Sequence, residues 1–358
     1  MLQVNLHNQS GGPGIFLERL NLSLSKNISK FKNTKQIIIS NPTSTIFKGQ
    51  NLITRLDGCY FEKILFEQVI RSFEQKYGQT HIFQKLKNSC GFIEMNSVSK
   101  IAFLLRNSHI RQSMLHSKAI IFQSNFSKDL FSYYSDFFPV FNFKDKKAIV
   151  IKNGLDLEKF PYSDYRFDFP SIVVSGKYRP VKRWLTALRI FKKVKSSFSK
   201  ARIIFLGAID KNDYKKLKAY SHKNKLSRVF FTGNINQYKL PDFYSLGNIF
   251  LHPSYIDSCP NAVIEALCTG LPVVHSSNGG TSELVSNAGI CIDENFDFQL
   301  KPYSNEEIIP SVNISEYAEA IAHIFNNIKS YKQKSRDVRN NFDINMVAKR
   351  YIEIANQI

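Results

Sequence analysis

Two carboxylates, Asp257 and Glu265, stand eight positions apart in the run His252-Pro253-Ser254-Tyr255-Ile256-Asp257-Ser258-Cys259-Pro260-Asn261-Ala262-Val263-Ile264-Glu265. Pro260 sits where a helix should begin, because the first helical turn has no use for the N–H that proline lacks. Asp257 then belongs to a loop, and Glu265 lies about one turn inside the helix that Gly270 ends. Carboxylates so placed can each accept hydrogen bonds from vicinal hydroxyls of a sugar or ribose. The helix N-terminus between them can hold a phosphate. A purely structural role is equally open to both: a cap or structural pairing for Glu265, a loop position for Asp257.

A second constellation is cationic. Lys177, Arg179, Lys182 and Arg183 fall within seven positions, in Gly176-Lys177-Tyr178-Arg179-Pro180-Val181-Lys182-Arg183. Such a loop can neutralise a diphosphate without a metal, although a basic loop is often merely solvated. Near the start, Gln9-Ser10-Gly11-Gly12-Pro13-Gly14 is neither a Walker loop nor GxGxxG. Its glycines, Gly12 and Gly14 among them, let the backbone approach an anion or sugar, or simply make a tight turn. Asn278-Gly279-Gly280-Thr281-Ser282-Glu283 repeats the pattern, with Glu283 as a helix-capping residue.

The elements that must carry these residues alternate. Short β-branched runs over 2–6, 36–40, 51–54, 119–123 and 148–152 read as strands of a first series, and those over 171–175, 202–206, 229–232, 249–252 and 272–275 as a second. Amphipathic stretches over 15–24, 184–195, 260–268 and 315–327 read as helices. The aperiodic segment 155–170 separates the two series. The expected class is α/β, with two Rossmann-like, doubly wound domains over 1–165 and 166–341 facing a central cleft at the C-terminal ends of their strands. A last helix over about 342–358 is placed back on the first domain.

Of 358 residues, 49 are Lys or Arg and 29 Asp or Glu, a formal net charge of +20. A surface this basic attracts polyanions, unless the excess is compositional bias alone. Five scattered cysteines without a CxxC pair argue against a disulfide framework and a structural zinc site. No N-terminal signal pattern is visible and no apolar run reaches the ~18 residues of a membrane span. A reducing, cytoplasmic setting is expected, with peripheral contact at an anionic membrane left open.

Taken in order, these residues resemble the retaining glycosyltransferases of family 4 (glycosyl transferases group 1), which have the GT-B fold. Ser10 to Gly14 resembles the family's N-terminal glycine-rich loop. Ile121-Phe122-Gln123-Ser124 resembles a late strand of its first domain, and Ile151-Lys152-Asn153-Gly154-Leu155-Asp156 its interdomain segment. Gly176-Lys177 with Lys182 is similar to a G-R-L-x-x-x-K-G loop, Asp257 to Glu265 to an E-x7-E motif, and Gly279 to Glu283 to GG-x-x-E. The stretch 62–117 carries no motif of this kind.

The resemblance implies roles. Lys177 and Lys182 bind the donor diphosphate in place of a metal, with Arg179 or Arg183 compensating for the bidentate fork lost where the family usually has Arg and this chain has Lys177. Glu265 holds the ribose. Asp257, one methylene shorter than the family's usual Glu, meets the donor sugar. The backbone at Gly12, Gly14, Ser258, Cys259, Pro260, Asn261, Ala262 and Gly280 approaches sugar or phosphate, and Gly233, Asn234 and Ile235 lie where the base-binding loop falls. In Arg55-Leu56-Asp57-Gly58, Asp57 stands near the family's sugar-contacting His. It either stabilises charge at the anomeric carbon or forms a turn.

The implied activity is transfer of a sugar from a nucleotide diphosphate sugar to an acceptor hydroxyl, with retention and without metal or other cofactor. The acceptor is a glycan, a lipid-linked sugar or a protein. Three readings compete: a GT-B-like epimerase or phosphorylase, a non-catalytic sugar-nucleotide binder, and a nucleic-acid-binding protein. The last is disfavoured because no RNP-like, zinc-finger or recognition-helix pattern accompanies the charge.

Overall fold

The computed structural model describes residues 2–6, 11–32, 36–40, 42, 51–56, 110, 112–137, 143, 145–164, 167–294 and 309–358. They form two sheets, each parallel throughout. The first runs β1 (Leu2–Val4), β2 (Ile37–Ser40), β3 (Asn51–Leu56), β4 (Ser117–Phe122) and β5 (Lys147–Val150) side by side in chain order. The second contains β6 (Ser171–Ser175), β7 (Arg202–Leu206), β8 (Val229–Phe231), β9 (Ile249–His252), β10 (Val273–Ser276) and β11 (Gly289–Ile292), ordered β11-β10-β9-β6-β7-β8.

Runs such as Ile37-Ile38-Ile39 and Ile172-Val173-Val174 are buried on both faces. That explains why they read as unbroken apolar strings: helices cover each side of a parallel sheet. The second sheet reverses between β6 and β9. The chain steps outward through β7 and β8, then returns to the other side of β6. The crevice at such a reversal, beyond the strand C-termini, is where ligands bind in α/β sheets.

The helices are α1 (Gly11–Lys26), α2 (Asn125–Phe137), α3 (Trp184–Ser197), α4 (Lys211–Lys223), α5 (Leu240–Ser245), α6 (Asn261–Cys268), α7 (Thr281–Val285), α8 (Ile314–Asn326), α9 (Ile328–Arg339) and α10 (Ile344–Asn356). Helices α4, α8 and α10 carry side-chain N-caps. Asp210 accepts from the amides of Asn212 and Asp213 at 2.8 and 2.9 Å, and Asp343 from that of Asn345 at 2.9 Å. Helix α10 crosses back to lie against α1 on the first sheet. Val347, Tyr351 and Ala355 share a core with Phe16, Leu20 and Ile39, and Leu155 bridges to Asp343. The second sheet has a core on each face, one under α3 and α8 and one under α6.

Two details depart from the sequence reading. The first helix begins at Gly11, not at residue 15, so the glycine run is its opening turn, where backbone N–H groups lack intrahelical partners. Strand β11 and helices α2, α4, α5 and α9 are not among the elements marked from the sequence. Asp57, Gln9 and Ser10 lie outside the described residues.

Candidate active site

Because β6 and β9 are neighbours, the loops that leave their C-terminal ends must meet. They are stitched together: the Tyr255 amide and the Ser254 hydroxyl both donate to the Val181 carbonyl, at 2.8 and 3.2 Å. The stitch aligns the 3-10 turn Pro180–Lys182 with the loop after β9, and Lys182 Nζ forms an ion pair with Asp257 Oδ2. Two residues 75 positions apart in sequence, each singled out by its own motif, are thus brought into one charged pair. Both side chains keep 20% exposure, so the pair is open to a ligand.

Below it lies His252, buried at the end of β9, with Nε2 3.8 Å from Asp257 Oδ2 and without a hydrogen-bond partner. Burial, helped by Lys182, pushes the His252 imidazole down from its ordinary 6.5 to about 3, so it is neutral under ordinary conditions. Burial pushes the Asp257 carboxyl up, but Lys182, His252 and the Cys259 amide outweigh it and hold the group below its ordinary value. Asp257 is therefore an anion.

Glu265 is held differently. Its carboxylate accepts from Arg19 Nη2 at 3.0 Å and from the Tyr244 hydroxyl at 3.1 Å. Arg19 comes from α1, on the first sheet, so this is a bond between the two halves. With its amide turned to present oxygen, Gln237 accepts from Arg19 Nε at 3.2 Å. Burial pushes the Glu265 carboxyl above its ordinary value, and Arg19 and Tyr244 offset only part of that.

Other contacts join the halves around the same loops. Asn153 Nδ2 donates to Asn261 Oδ1 at 2.8 Å, at the start of α6, while Asn153 Oδ1 accepts from the buried Arg55. Glu283 caps a helix, but one of the other half: its carboxylate accepts from the Asn125 and Phe126 amides at 2.9 Å each, at the start of α2. Lys152 Nζ donates to the Glu283 carbonyl. The glycines before it serve the protein's own backbone. Gly279 has φ +129, and a Cβ at Gly280 would collide with the Ser258 carbonyl and lie 2.7 Å from Ser124 Oγ.

The remaining sequence candidates are dispersed. Lys177 and Arg179 are exposed beside the pair. Arg183, in a left-handed conformation at φ 51, is buried with its guanidinium 2.6 Å from Glu294, which also accepts from Tyr317 and Asn278. Its charge is taken up within the fold, unlike that of Lys182. Gly233, Asn234 and Ile235 follow β8 on the cleft side. Cys259 is no nucleophile, since burial pushes its thiol up to about 12. Among the described residues no three His, Cys, Asp or Glu cluster as metal ligands, and no helix is long and apolar enough to cross a membrane.

Arg19, Tyr244, His252 and Asn153 have site contacts that the sequence reading did not assign. Asn153 stood within its interdomain motif and His252 at the head of the run that ends at Glu265; Arg19 is one cation among many.

Residues 166–341 match the family model described as glycosyl transferases group 1. That segment contains both site loops, and the two sheets make a GT-B fold. Sulfoquinovosyl transferase SQD2 of Arabidopsis thaliana is 31% identical over 105 residues, a stretch covering 28% of this chain and 18% of that protein. Sucrose-phosphate synthase of Thermosynechococcus elongatus superposes with a TM-score of 0.61 at 16% identity, over 99% of this chain and 98% of that one. HepE of Anabaena, in complex with UDP and glucose, gives 0.60 at 13% identity, over 100% and 99%. At these identities the structural likeness is one of fold.

Proposed function

We propose that the protein transfers a sugar from a nucleotide diphosphate sugar to an acceptor hydroxyl, with retention of configuration and without a metal. The observation that carries the reading is the Lys182–Asp257 pair at the β6/β9 reversal, one loop away from Glu265 and the N-terminus of α6. A cation, two carboxylates and a helix N-terminus there match the parts of such a donor: diphosphate, sugar hydroxyls and ribose.

On this reading Lys182 leaves Asp257 for the diphosphate, joined by the exposed Lys177 and Arg179 and by the amides of Cys259 to Ala262. Asp257 is then free to accept from the sugar. Glu265 exchanges Arg19 for the ribose hydroxyls, so donor binding is coupled to a shift of α1. As the bond between the anomeric carbon and the phosphate oxygen breaks, the acceptor oxygen bonds to that carbon from the same face. The acceptor proton passes to the leaving diphosphate, whose growing charge Lys182 and the helix N-terminus stabilise. Closure of the halves excludes water, the competing acceptor. A glycan, a lipid-linked sugar or a protein fits as acceptor. The complex of HepE, a protein of this fold, with UDP and glucose makes UDP-sugars the first donors to try.

The test is incubation with UDP-, GDP-, ADP- and dTDP-sugars in the presence of chelator, with nucleotide release and product anomer read together. Chelator-resistant release from one donor, lost in Glu265→Ala, supports the reading. Release of an epimerised or phosphorolysed sugar would turn it toward the epimerase or phosphorylase class. Binding of a donor without turnover under any acceptor condition would leave a sugar-nucleotide binder.

A further inference from the structure

The net charge is not spread evenly. Residues 184–228 hold 13 Lys and Arg against two Asp and no Glu, so one eighth of the chain supplies +11 of the total +20. These residues are α3, β7, α4 and the turn into β8, at one edge of the second sheet. Eleven of the thirteen cations are exposed, among them Lys192, Lys193, Lys215, Lys216, Lys223 and Arg228.

The two acids do little to cancel them. Asp210 spends its carboxylate on capping α4, and Asp213 faces Lys216 at 3.5 Å, which is the sole ion pair of this face among the described residues. Three of the cations are held by hydrogen bonds. Helices α3 and α4 pack side by side. Lys192 Nζ donates to Asn224 Oδ1 at 2.9 Å, Lys195 Nζ to Ser227 Oγ at 3.1 Å, and Arg228 to the Lys200 carbonyl at 3.1 Å. The turn that makes these bonds holds Lys225 and Arg228 at φ 50 and 62, left-handed positions that non-glycine residues seldom occupy. Burial, then the like charge of Arg228, lowers the Lys195 pKa. A fold that concentrates like charge costs stability by self-repulsion.

We infer that the face formed by α3, α4 and the turn before β8 docks the protein on an anionic lipid bilayer. Ten of the thirteen cations are lysines, point charges suited to a diffuse field of headgroups; recognition of single phosphates or bases favours the arginine fork. The face adjoins β8, which the loop Thr232 to Ile235 follows. The inference does not rest on the proposed transfer reaction, because docking is read without turnover.

The experiment is co-sedimentation of the full chain with phosphatidylcholine vesicles, with and without phosphatidylglycerol, at ~0.1 M salt. The triple variant Lys193→Glu/Lys215→Glu/Lys223→Glu is compared with Lys30→Glu/Lys329→Glu/Lys349→Glu, which makes the same change in net charge on exposed residues elsewhere. A neutral triple, Lys193→Gln/Lys215→Gln/Lys223→Gln, guards against loss of folding, checked by an unchanged thermal midpoint. Binding only to the anionic vesicles is expected, weakened about 100-fold by the first triple and only slightly by the second. Equal loss in both triples, or equal binding to both vesicle types, would overturn the inference. So would a single-stranded oligonucleotide that binds more tightly than the vesicles and displaces them, which would assign the face to nucleic acid. Donor turnover in solution, unaffected by the first triple, keeps this outcome separate from the fate of the transferase reading.

Discussion

Asp257 and Glu265 are eight residues apart, yet their partners come from different places. Asp257 is paired by Lys182 within one sheet, through two loops that adjacent strands force together. Glu265 is paired across the seam by Arg19, from a helix of the other half. The first pairing follows from topology and does not depend on how the halves sit. The second holds only while the halves are in this relation. A site built from both kinds of contact has a rigid part, which presents charge, and a part that can respond to a ligand by moving one half against the other.

The comparison can be broken most sharply at the rigid part. Lys182→Ala removes the cation that the proposed mechanism sets against the leaving diphosphate, and a loss of roughly 100- to 1,000-fold in kcat is expected, measured as nucleotide release with folding unchanged. A turnover near that of the wild type would remove Lys182 from the site. At the seam, Arg19→Ala leaves Glu265 buried and unpaired, which should cost ~3 kcal/mol of stability in urea unfolding. The same change should tighten nucleotide binding, because the ribose no longer competes with a guanidinium. A variant that lost both stability and affinity would show that Arg19 supports the bound state instead.

A third test uses pH. His252 titrates at about 3 in the folded chain and near 6.5 when unfolded. As pH falls below 6.5 the unfolded chain takes up a proton that the folded one refuses, so stability drops toward pH 3. Asp257, held below its ordinary 3.8, adds loss in the same direction under more acid conditions. Glu265, raised above 4.5, works the other way and costs stability as pH rises. His252→Gln should therefore flatten the fall in urea midpoint between neutrality and pH 5, by about 2 kcal/mol at the acid end. An unchanged slope would mean that His252 is protonated in the fold. The smallest effect belongs to Glu283→Ala, which uncaps α2 from across the seam and should cost about 1 kcal/mol, read as a lower thermal midpoint.

What was legible in the sequence follows the same division. Lys182, Asp257 and Glu265 stand in strand–loop–helix runs, where β-branched strings, Pro260 and Gly270 fix each position locally. The reversal that joins them needs only the alternation of strands and helices. Arg19 and Tyr244 could not be found that way: nothing in α1 distinguishes Arg19 from a surface cation, since its partner is chosen by how the halves sit. Glu283 was legible as a cap, but not as the cap of another half's helix. Arg183 shows the reverse error of local reading, a cation in a basic loop whose charge Glu294 takes up inside the fold. The glycine run at 11–14 looked like a loop because glycines and proline are poor helix formers in the middle of a helix; in an opening turn that penalty is largely absent.

The most direct measurement is calorimetric titration of the wild type, Arg19→Ala and Glu265→Ala with the nucleoside diphosphate of whichever donor the panel selects. Expected is at least about 10-fold weaker binding for Glu265→Ala, the loss of a charge-assisted hydrogen bond or two, and binding no weaker than wild type for Arg19→Ala. Glu265→Ala binding as tightly as the wild type would contradict the central claim that this carboxylate, held by Arg19 in the free protein, is the seat of the nucleotide.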